Sequence, residues 1–567
     1  MSIRRWTLLV LAVLYITCTG SNADTLKYRW VYVSQNMLVD SNVQKVIDIM
    51  RRAKTAGYNG IVLDDYKFNV LDRVDQRYFK NMDAVKRASS ELGMDIYPAV
   101  FPLGYSEGVL THDPNLAEGL PVRDALFVAR DGKIDLLPDP SVVLANGDFE
   151  ESNGDKLAGW SMQDGIGKCT FVDKSVRYKG SQSLRMENIG TADPQHGNGR
   201  IAQIVNVSPY RQYHLSAWVK TDNFETPGNV NVFAMGLDGR MLSYNTIKVE
   251  RTQDWRQIQV IFNSLGNKQV RIYLGVWDGK GGKLWWDDVR LEEVGLLNLI
   301  RREGCPLIVK SEDGRTFEEG RDFLPVKDER MGTVPWSGCY DVYHQPPSML
   351  LAPNSRIKQG QRLRVSFFHT VIIYGGEVAC CLTDPKVYNI LNDQLNRVNS
   401  LLEPKGLLMS YDEIRVANWC DLCRARHLTP GRLLAESASK CTGMIRNLRP
   451  DAKIFVWSDM FDPNHNAHDD YYLVNGTWAG SWEGLPKDVI VVNWNGSEKR
   501  KETLDWFAKQ GHAQILAGYY DASPERIRGW LDDAKTVPGV VSVMYTTWQN
   551  RYDDLEAFAQ AAFPNNR

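Results

Sequence analysis

Two rhythms of apolar residues alternate along this chain. Residues 28–34, 60–66 and 94–101 are short apolar runs; between them Val43 to Ala56 and residues 79–92 repeat apolar positions at helical spacing and stop at Gly57 and Gly93. Three such units in succession predict parallel strands joined by right-handed helical crossovers. From about 143 to 294 the helical period disappears, and short alternating strands are separated by Gly, Asn and Asp, as in an antiparallel sandwich. Residues 295–383 stay strand-rich, with Leu363 to Phe368 the clearest strand, and read as a second β-rich insertion. After Pro385 the alternation resumes. Val387, Ile390, Leu391, Leu395, Val398, Leu401 and Leu402 mark a helix closed by Pro404 and Gly406. An apolar run follows and ends in Asp412 and Glu413, and further strands are predicted at 453–459, 489–495, 513–520 and 541–548.

Eight strands with helices between them predict an α/β chain, a (β/α)8 TIM barrel split by an all-β sandwich and a second β-rich subdomain. The expected division is a leader at 1–23, barrel at 24–142, sandwich at 143–294, β-rich insertion at 295–383 and the rest of the barrel at 384–567. The leader follows from Arg4 and Arg5, the apolar run Leu8 to Ile16 and the small residues before Asp24, and it implies a secreted or periplasmic protein. That run is too short to span a membrane, and no later one is long enough.

Composition narrows the function. A net charge of -2 and a pI near 6.5, with no basic stretch beyond the N-terminus, remove the electrostatic case for a nucleic-acid partner. The 17 Trp and 24 Tyr supply flat amphipathic rings suited to stacking on sugars. No P-loop, nucleotide fingerprint or Gly-x-Ser-x-Gly elbow is present, so no cofactor is inferred. Cys420 and Cys423 form one CxxC, but a zinc site ordinarily takes a second pair and none is evident, so a local disulfide or packed thiols is expected and no metal is assigned. The His465, His468 and Asp469 loop reads as a substrate rim in preference to a metal site.

The chemistry is expected at the C-terminal ends of the strands, where barrel active sites lie. Those ends carry Asp64 and Asp65, Asp412 and Glu413, Trp457 and Asp459, Asn493 and Trp494, Tyr519 and Tyr520, and Trp548. Carboxylates and indoles are the pieces that glycosidic cleavage requires: a protonated acid at the leaving oxygen and a partner at the anomeric centre. A structural reading of the acid pair is that Glu413 caps a helix and pairs with a nearby Arg such as Arg415.

Two resemblances follow from these residues. Asn146 to Glu150, Gly159-Trp160, Tyr178 to Leu184 and Leu284 to Arg290 resemble landmarks of the jelly-roll carbohydrate-binding modules of secreted glycosidases, with Trp218, Trp255, Trp277, Trp285 and Trp286 as platform candidates. The adjacent Asp412-Glu413, Trp457-Ser-Asp-Met460, Trp548 and the Tyr519-Tyr520 pair resemble glycoside hydrolase family 20, the β-N-acetylhexosaminidases. That resemblance implies Glu413 as general acid/base, Asp412 orienting a substrate acetamido group that serves as nucleophile, and Trp457, Trp548 and a Tyr walling the acetamido pocket. The chain departs from the family at Leu408 to Tyr411, where His-x-Gly-Gly is usual, and at Ser34 to Asn36, where an Arg grips the terminal sugar. The implied protein is a retaining hydrolase of N-acetylhexosamine-containing glycans, its partners polysaccharides or glycoprotein glycans. A glycosidase using a separate carboxylate such as Asp65 or Asp459 on another polysaccharide, or a non-catalytic carbohydrate-binding protein, stay open as alternatives.

Overall fold

The structure is a computed structural model that describes residues 26–564; the leader expected at 1–23 lies outside the described residues. Eight strands form a closed all-parallel barrel: β1 (Tyr28–Ser34), β2 (Gly60–Asp64), β3 (Asp95–Val100), β4 (Gly406–Met409), β5 (Lys453–Trp457), β6 (Ile490–Asn493), β7 (Gln514–Tyr519) and β8 (Val540–Thr546). They pair in chain order, and β8 closes on β1 through Tyr28 opposite Ser542 and Val31 opposite Tyr545. Nearly every residue of these strands is buried, because one face meets the barrel interior and the other the surrounding helices.

The expectation of a (β/α)8 TIM barrel is corrected here. Helices α1 (Asp40–Thr55), α2 (Gln76–Leu92), α3 (Pro385–Leu402), α4 (Pro430–Leu448), α5 (Arg500–Gln510), α6 (Arg526–Ala534) and α7 (Leu555–Ala562) surround the strands. Between β5 and β6, however, the only helical elements are short 3-10 turns at Asp459–Phe461 and Ser481–Gly484, so the ring of helices is incomplete. The molecule as a whole is β-rich, since 27 strands and 10 α-helices occur among the described residues and only eight of those strands belong to the barrel.

Most of the remaining strands build three larger sheets, beside two small two-stranded ones. A five-stranded antiparallel sheet (order 253–263, 212–222, 283–294, 183–187, 170–173) packs against a four-stranded one (230–236, 269–276, 199–206, 162–163). Their inner faces bury alternate residues, as Val230, Val232 and Ala234 do along one strand, which is the signature of a two-layer β core. A six-stranded sheet combines Arg362–His369 with Leu120–Arg130 and Lys133–Leu136, so chain from both sides of the sandwich enters one sheet. His369, wholly buried, accepts at Nε2 from the sandwich residue Asn263 at 3.0 Å, and the Gln212 amide lies 3.0 Å from its Nδ1. Burial lowers the His369 pKa to about 4, so the ring is neutral: Nδ1–H donates to the Thr370 carbonyl at 3.0 Å and Nε2 is its single acceptor.

The barrel's two ends differ. Tyr28, Trp30, Tyr97 and Phe455 touch one another with ring centroids 4.2 to 6.2 Å apart and fill the N-terminal end of the interior. At the other end a cavity of about 670 Å³ opens among the strand termini.

Candidate active site

The acid pair owes its geometry to a break in the pleat. β4 is fully buried through Met409, Ser410 still bonds Val100 through its backbone N–H, and Glu413 then adopts a left-handed conformation with φ of 51°. Successive strand residues normally face opposite sides; here both Asp412 and Glu413 line the cavity. The turn is pinned by Asp459, whose Oδ2 accepts the Glu413 backbone N–H at 2.9 Å. Gly104 closes the turn from β3's side, because a Cβ there would collide with the Asp412 carbonyl oxygen.

Three groups surround the Glu413 carboxyl. The Tyr105 hydroxyl donates to Oε2 at 2.5 Å, and Arg415 Nη2 lies 2.6 Å from the same oxygen. Arg415 is shared, since its Nη1 also pairs with buried Glu377, and its guanidinium sits 5.0 Å from the Tyr472 ring centroid and 5.3 Å from that of Tyr374. Burial pushes the Glu413 carboxyl up to about 7; the Tyr105 hydrogen bond opposes this and the Asp459 charge adds to it. The ion pair with Arg415 exists and pulls downward as well, but one guanidinium divided between two carboxylates cannot offset both fully. Because Tyr105 and Arg415 both occupy Oε2, Oε1 is the oxygen left to carry a proton into the cavity.

Asp412 is held well above the ordinary carboxylate range by burial first, then by the charges of Asp459, Glu413 and Asp64. Asp64 also lines the cavity, its Oδ2 accepting from Tyr32 Oη at 2.9 Å and Ser34 Oγ at 3.0 Å. An excess of carboxylates in a low-dielectric pocket favours a ligand that develops positive charge.

The aromatic wall is continuous. Tyr32, Trp457 and Trp548 meet one another edge to face or tilted, with centroids 5.2 to 5.7 Å apart. Tyr520 stacks parallel to Trp494 at 5.9 Å and meets Trp548 edge-on at the same distance. Trp548 is 46% exposed, an unusual degree for an indole, and its backbone N–H is held by Asp521 Oδ2 at 2.8 Å. The buried Tyr520 hydroxyl has no hydrogen-bond partner among the described residues, so it is a polar atom left for a ligand.

Of the residues singled out in the sequence, Asp64, Asp412, Glu413, Trp457, Trp494, Tyr520 and Trp548 line this one cavity. Four others do not. Asp65 turns away, accepting from Met37 N, Lys67 N and Tyr78 Oη, and burial sets it at about 6. Asp459 is buried behind the pair, its oxygens taken by Glu413 N, Asn466 Nδ2 and Trp494 Nε1. Asn493 bonds Gln514 and the backbone of Asn495. Tyr519 stacks on Tyr545 and donates to Asp554, beside a different depression. Tyr32, Ser34, Tyr105, Glu107 and Asn550 line the cavity without having been singled out for it. The sequence signal for Tyr105 was its place five residues beyond β3, after Gly104.

In the sandwich, Trp285 and Trp286 are core. Trp218, Trp255 and Trp277 are half-buried, and Tyr178 stacks on Trp218 at 3.8 Å with Trp255 6.0 Å away, which makes a small aromatic surface.

Residues 141–280 match the carbohydrate binding domain family, so the chain carries a carbohydrate-binding domain. Among curated proteins, the tRNA(Glu)-specific nuclease WapA of Bacillus subtilis subsp. natto is 29% identical over 163 residues, which is 27% of this chain and 7% of that protein. The tRNA nuclease WapA of Bacillus subtilis strain 168 is 28% identical over the same length and shares. This chain therefore spans a small fraction of those relatives. Among solved structures, the rhamnosidase from Novosphingobium sp. PP1Y covers 97% of this chain and 60% of its own, with 11% identity and a TM-score of 0.35. The CBM22-1 xylan-binding domain from Paenibacillus barcinonensis Xyn10C covers 26% and 92%, with 18% identity and a TM-score of 0.21. Among the described residues no helix is long and apolar enough to cross a membrane.

Proposed function

We propose that this protein is a secreted or periplasmic glycoside hydrolase that cleaves N-acetylhexosamine-containing glycans with retention, the substrate's own acetamido oxygen acting as nucleophile. The observation that carries the reading is the Glu413 carboxyl: raised to about 7, bound by its neighbours through one oxygen only, and set on an aromatic-walled cavity beside a second carboxyl. At pH 7 about half of such groups keep their proton, against well under one in a hundred for an unshifted Glu. Glu413 donates that proton to the glycosidic oxygen as the bond breaks. The acetamido oxygen attacks the anomeric carbon from within the substrate, and the resulting oxazolinium ion carries positive charge. Asp412 accepts the acetamido N–H, and its surrounding carboxylates, which disfavour its negative charge when nothing positive is near, favour this cation. Glu413, now ionised, takes a proton from the water that opens the ring. Tyr32, Trp457 and Trp548 wall the acetamido group, and the carbohydrate-binding domain keeps glycan close by.

A separate protein nucleophile is supported less well, because neither Asp65 nor Asp459 lines the cavity and both have their oxygens engaged. The test is hydrolysis of chromogenic glycosides with and without the 2-acetamido group, together with inhibition by a thiazoline mimic of the cyclised intermediate. Turnover confined to acetamido substrates and strong thiazoline inhibition are expected. Covalent trapping of a glycosyl ester on Asp64 or any other carboxylate would overturn substrate assistance, and a protein that binds glycans but turns over no glycoside would overturn the hydrolase reading.

A further inference from the structure

Away from the cavity, three cysteines and one glutamate converge from separate parts of the chain. Cys381 precedes α3, Cys420 and Cys423 lie on the segment that follows the acid pair, and Glu118 stands where the chain leaves the barrel after β3. All four are buried, and one ligand atom from each lies within 4.8 Å of all the others. Cys381 Sγ is 3.6 Å from Cys420 Sγ and 3.6 Å from Cys423 Sγ, and Glu118 Oε2 is 3.6 Å from Cys423 Sγ.

These separations discriminate between arrangements. A disulfide needs sulfurs about 2.05 Å apart, and all four of these Cys residues, counting nearby Cys305, are free thiols. A tetrahedral ion with bonds of about 2.3 Å to sulfur and about 2.0 Å to a carboxylate oxygen sets S–S at about 3.8 Å and S–O at about 3.5 Å. The three separations of 3.6 Å match those of a shared ion, and packed thiols in contact give the same distances, so the carboxylate separates the two arrangements. Glu118 adds an independent reason. It is 1% exposed, its Oε1 accepts the backbone N–H groups of Trp419 at 2.8 Å and Cys420 at 2.9 Å, and its Oε2 is turned to the sulfurs. No Lys, Arg or His nitrogen among the described residues lies within ion-pair distance of it. A buried carboxylate facing thiols, with no cation in direct contact and Arg302 alone nearby, is a costly arrangement that a metal removes.

We propose that Cys381, Cys420, Cys423 and Glu118 Oε2 hold one structural Zn²⁺. Three thiolates select a borderline-soft ion over magnesium or calcium, and a closed set of four protein ligands leaves no position for substrate. The surroundings are those of such a site. The two backbone N–H bonds fix the Glu118 carboxylate, the Thr383 hydroxyl lies 3.2 Å from Cys423 Sγ and 3.3 Å from Cys381 Sγ, and Arg302 brings positive charge to offset the anionic ligands. Binding releases the three thiol protons to solvent as the metal–sulfur bonds form. The ion staples the points where the chain leaves and re-enters the barrel to the segment immediately beyond Glu413. The single CxxC in the sequence had its partners 39 and more positions away, on either side of two insertions, which hid them from spacing arguments.

The experiment is metal analysis of the full-length protein purified without chelator, with cobalt substitution as a second readout. About one zinc per chain is expected. Cobalt-loaded protein should show thiolate-to-metal charge transfer in the near ultraviolet and the intense visible bands of a tetrahedral site. Cys423→Ser should lose both, Glu118→Gln should lose zinc to a chelator on the order of tenfold faster, and Cys169→Ser, in the sandwich, should change neither. Protein that contains no zinc and gives no tetrahedral cobalt spectrum overturns the site, as does a disulfide joining any two of the three cysteines in peptide mapping. Wild-type zinc content and the cobalt spectrum stand even if a variant fails to fold. Zinc retained by Glu118→Gln but lost by Cys305→Ser would overturn the assignment of Glu118 as fourth ligand, because Cys305 contacts Cys420.

Discussion

Glu413 is where burial, a hydrogen bond and an ion pair compete for one proton. Glu413→Gln keeps the shape and removes the proton, so kcat on ordinary glycosides is expected to fall on the order of 10² to 10⁴-fold, with a smaller loss for substrates whose leaving group departs unprotonated. Wild-type kcat should decline as pH rises through about 7, as the acid form is lost. Stability follows the same sign. The folded-state pKa is raised above its ordinary value of 4.5, so the group's contribution to stability is complete below that value and is lost as pH climbs through about 7. Glu413→Gln never acquires the charge, so its Tm relative to wild type should improve between pH 5 and pH 8 in a thermal melt series. A relative Tm that worsens instead would mean that the Arg415 pair outweighs burial. Tyr105→Phe removes the hydrogen bond that holds the Glu413 pKa down, and should move the basic limb of the pH profile upward while leaving the fold intact. Residues with chemistry in their own side chains, such as Asp412 and Trp548, could be picked out from sequence. Tyr105 and the pairing of Arg415 with Glu377 could not, because their roles depend on neighbours 38 or more positions away.

At the scale of elements, the left-handed residue after β4 decides whether the two carboxyls share a cavity. Gly104→Ala places a methyl group against the Asp412 carbonyl. The turn must shift, and a displacement of about 1 Å costs on the order of 10² in rate; kcat should fall by that order with circular dichroism unchanged. Full activity in Gly104→Ala would show that the turn has slack. The barrel strands were legible because a strand buried on both faces reads as an unbroken apolar run, and Leu407 to Met409 or Val491 to Val492 admit little else. The missing helix between β5 and β6 was not legible. That segment contains apolar residues such as Tyr471, Leu473 and Trp478, which are buried as expected of a helix face but in turns and a two-residue strand. The strands at 120–130 and 133–136 were also missed, since the partner that defines them, 362–369, lies beyond the whole sandwich.

At the scale of the molecule, the sandwich sheets bury a core of their own around Leu215, Leu274 and Trp286. The segment 143–294 expressed alone should therefore melt in one cooperative transition and bind glycans weakly; a segment that stays unfolded in calorimetry would refute its independence. In the whole chain it is not free to swing. Arg240 of the sandwich donates to the carbonyls of Tyr472 and Val474, each at 2.9 Å, and Tyr244 packs 4.6 Å from the Tyr472 ring, on the loop whose Tyr472 also faces Arg415.

Under the proposed function, a binding surface fixed at one distance from the cavity works as a ruler. A tethered module on a flexible linker raises the local concentration of every chain it captures, whereas a rigid one rewards only those long enough to reach both places at once. KM measured along a series of oligosaccharides should drop in one step at a threshold length and stay flat on either side of it. Arg240→Ala, which loosens the junction without touching either surface, should blur that step into a slope, and an equally sharp step in the variant would show that the gauge is set elsewhere.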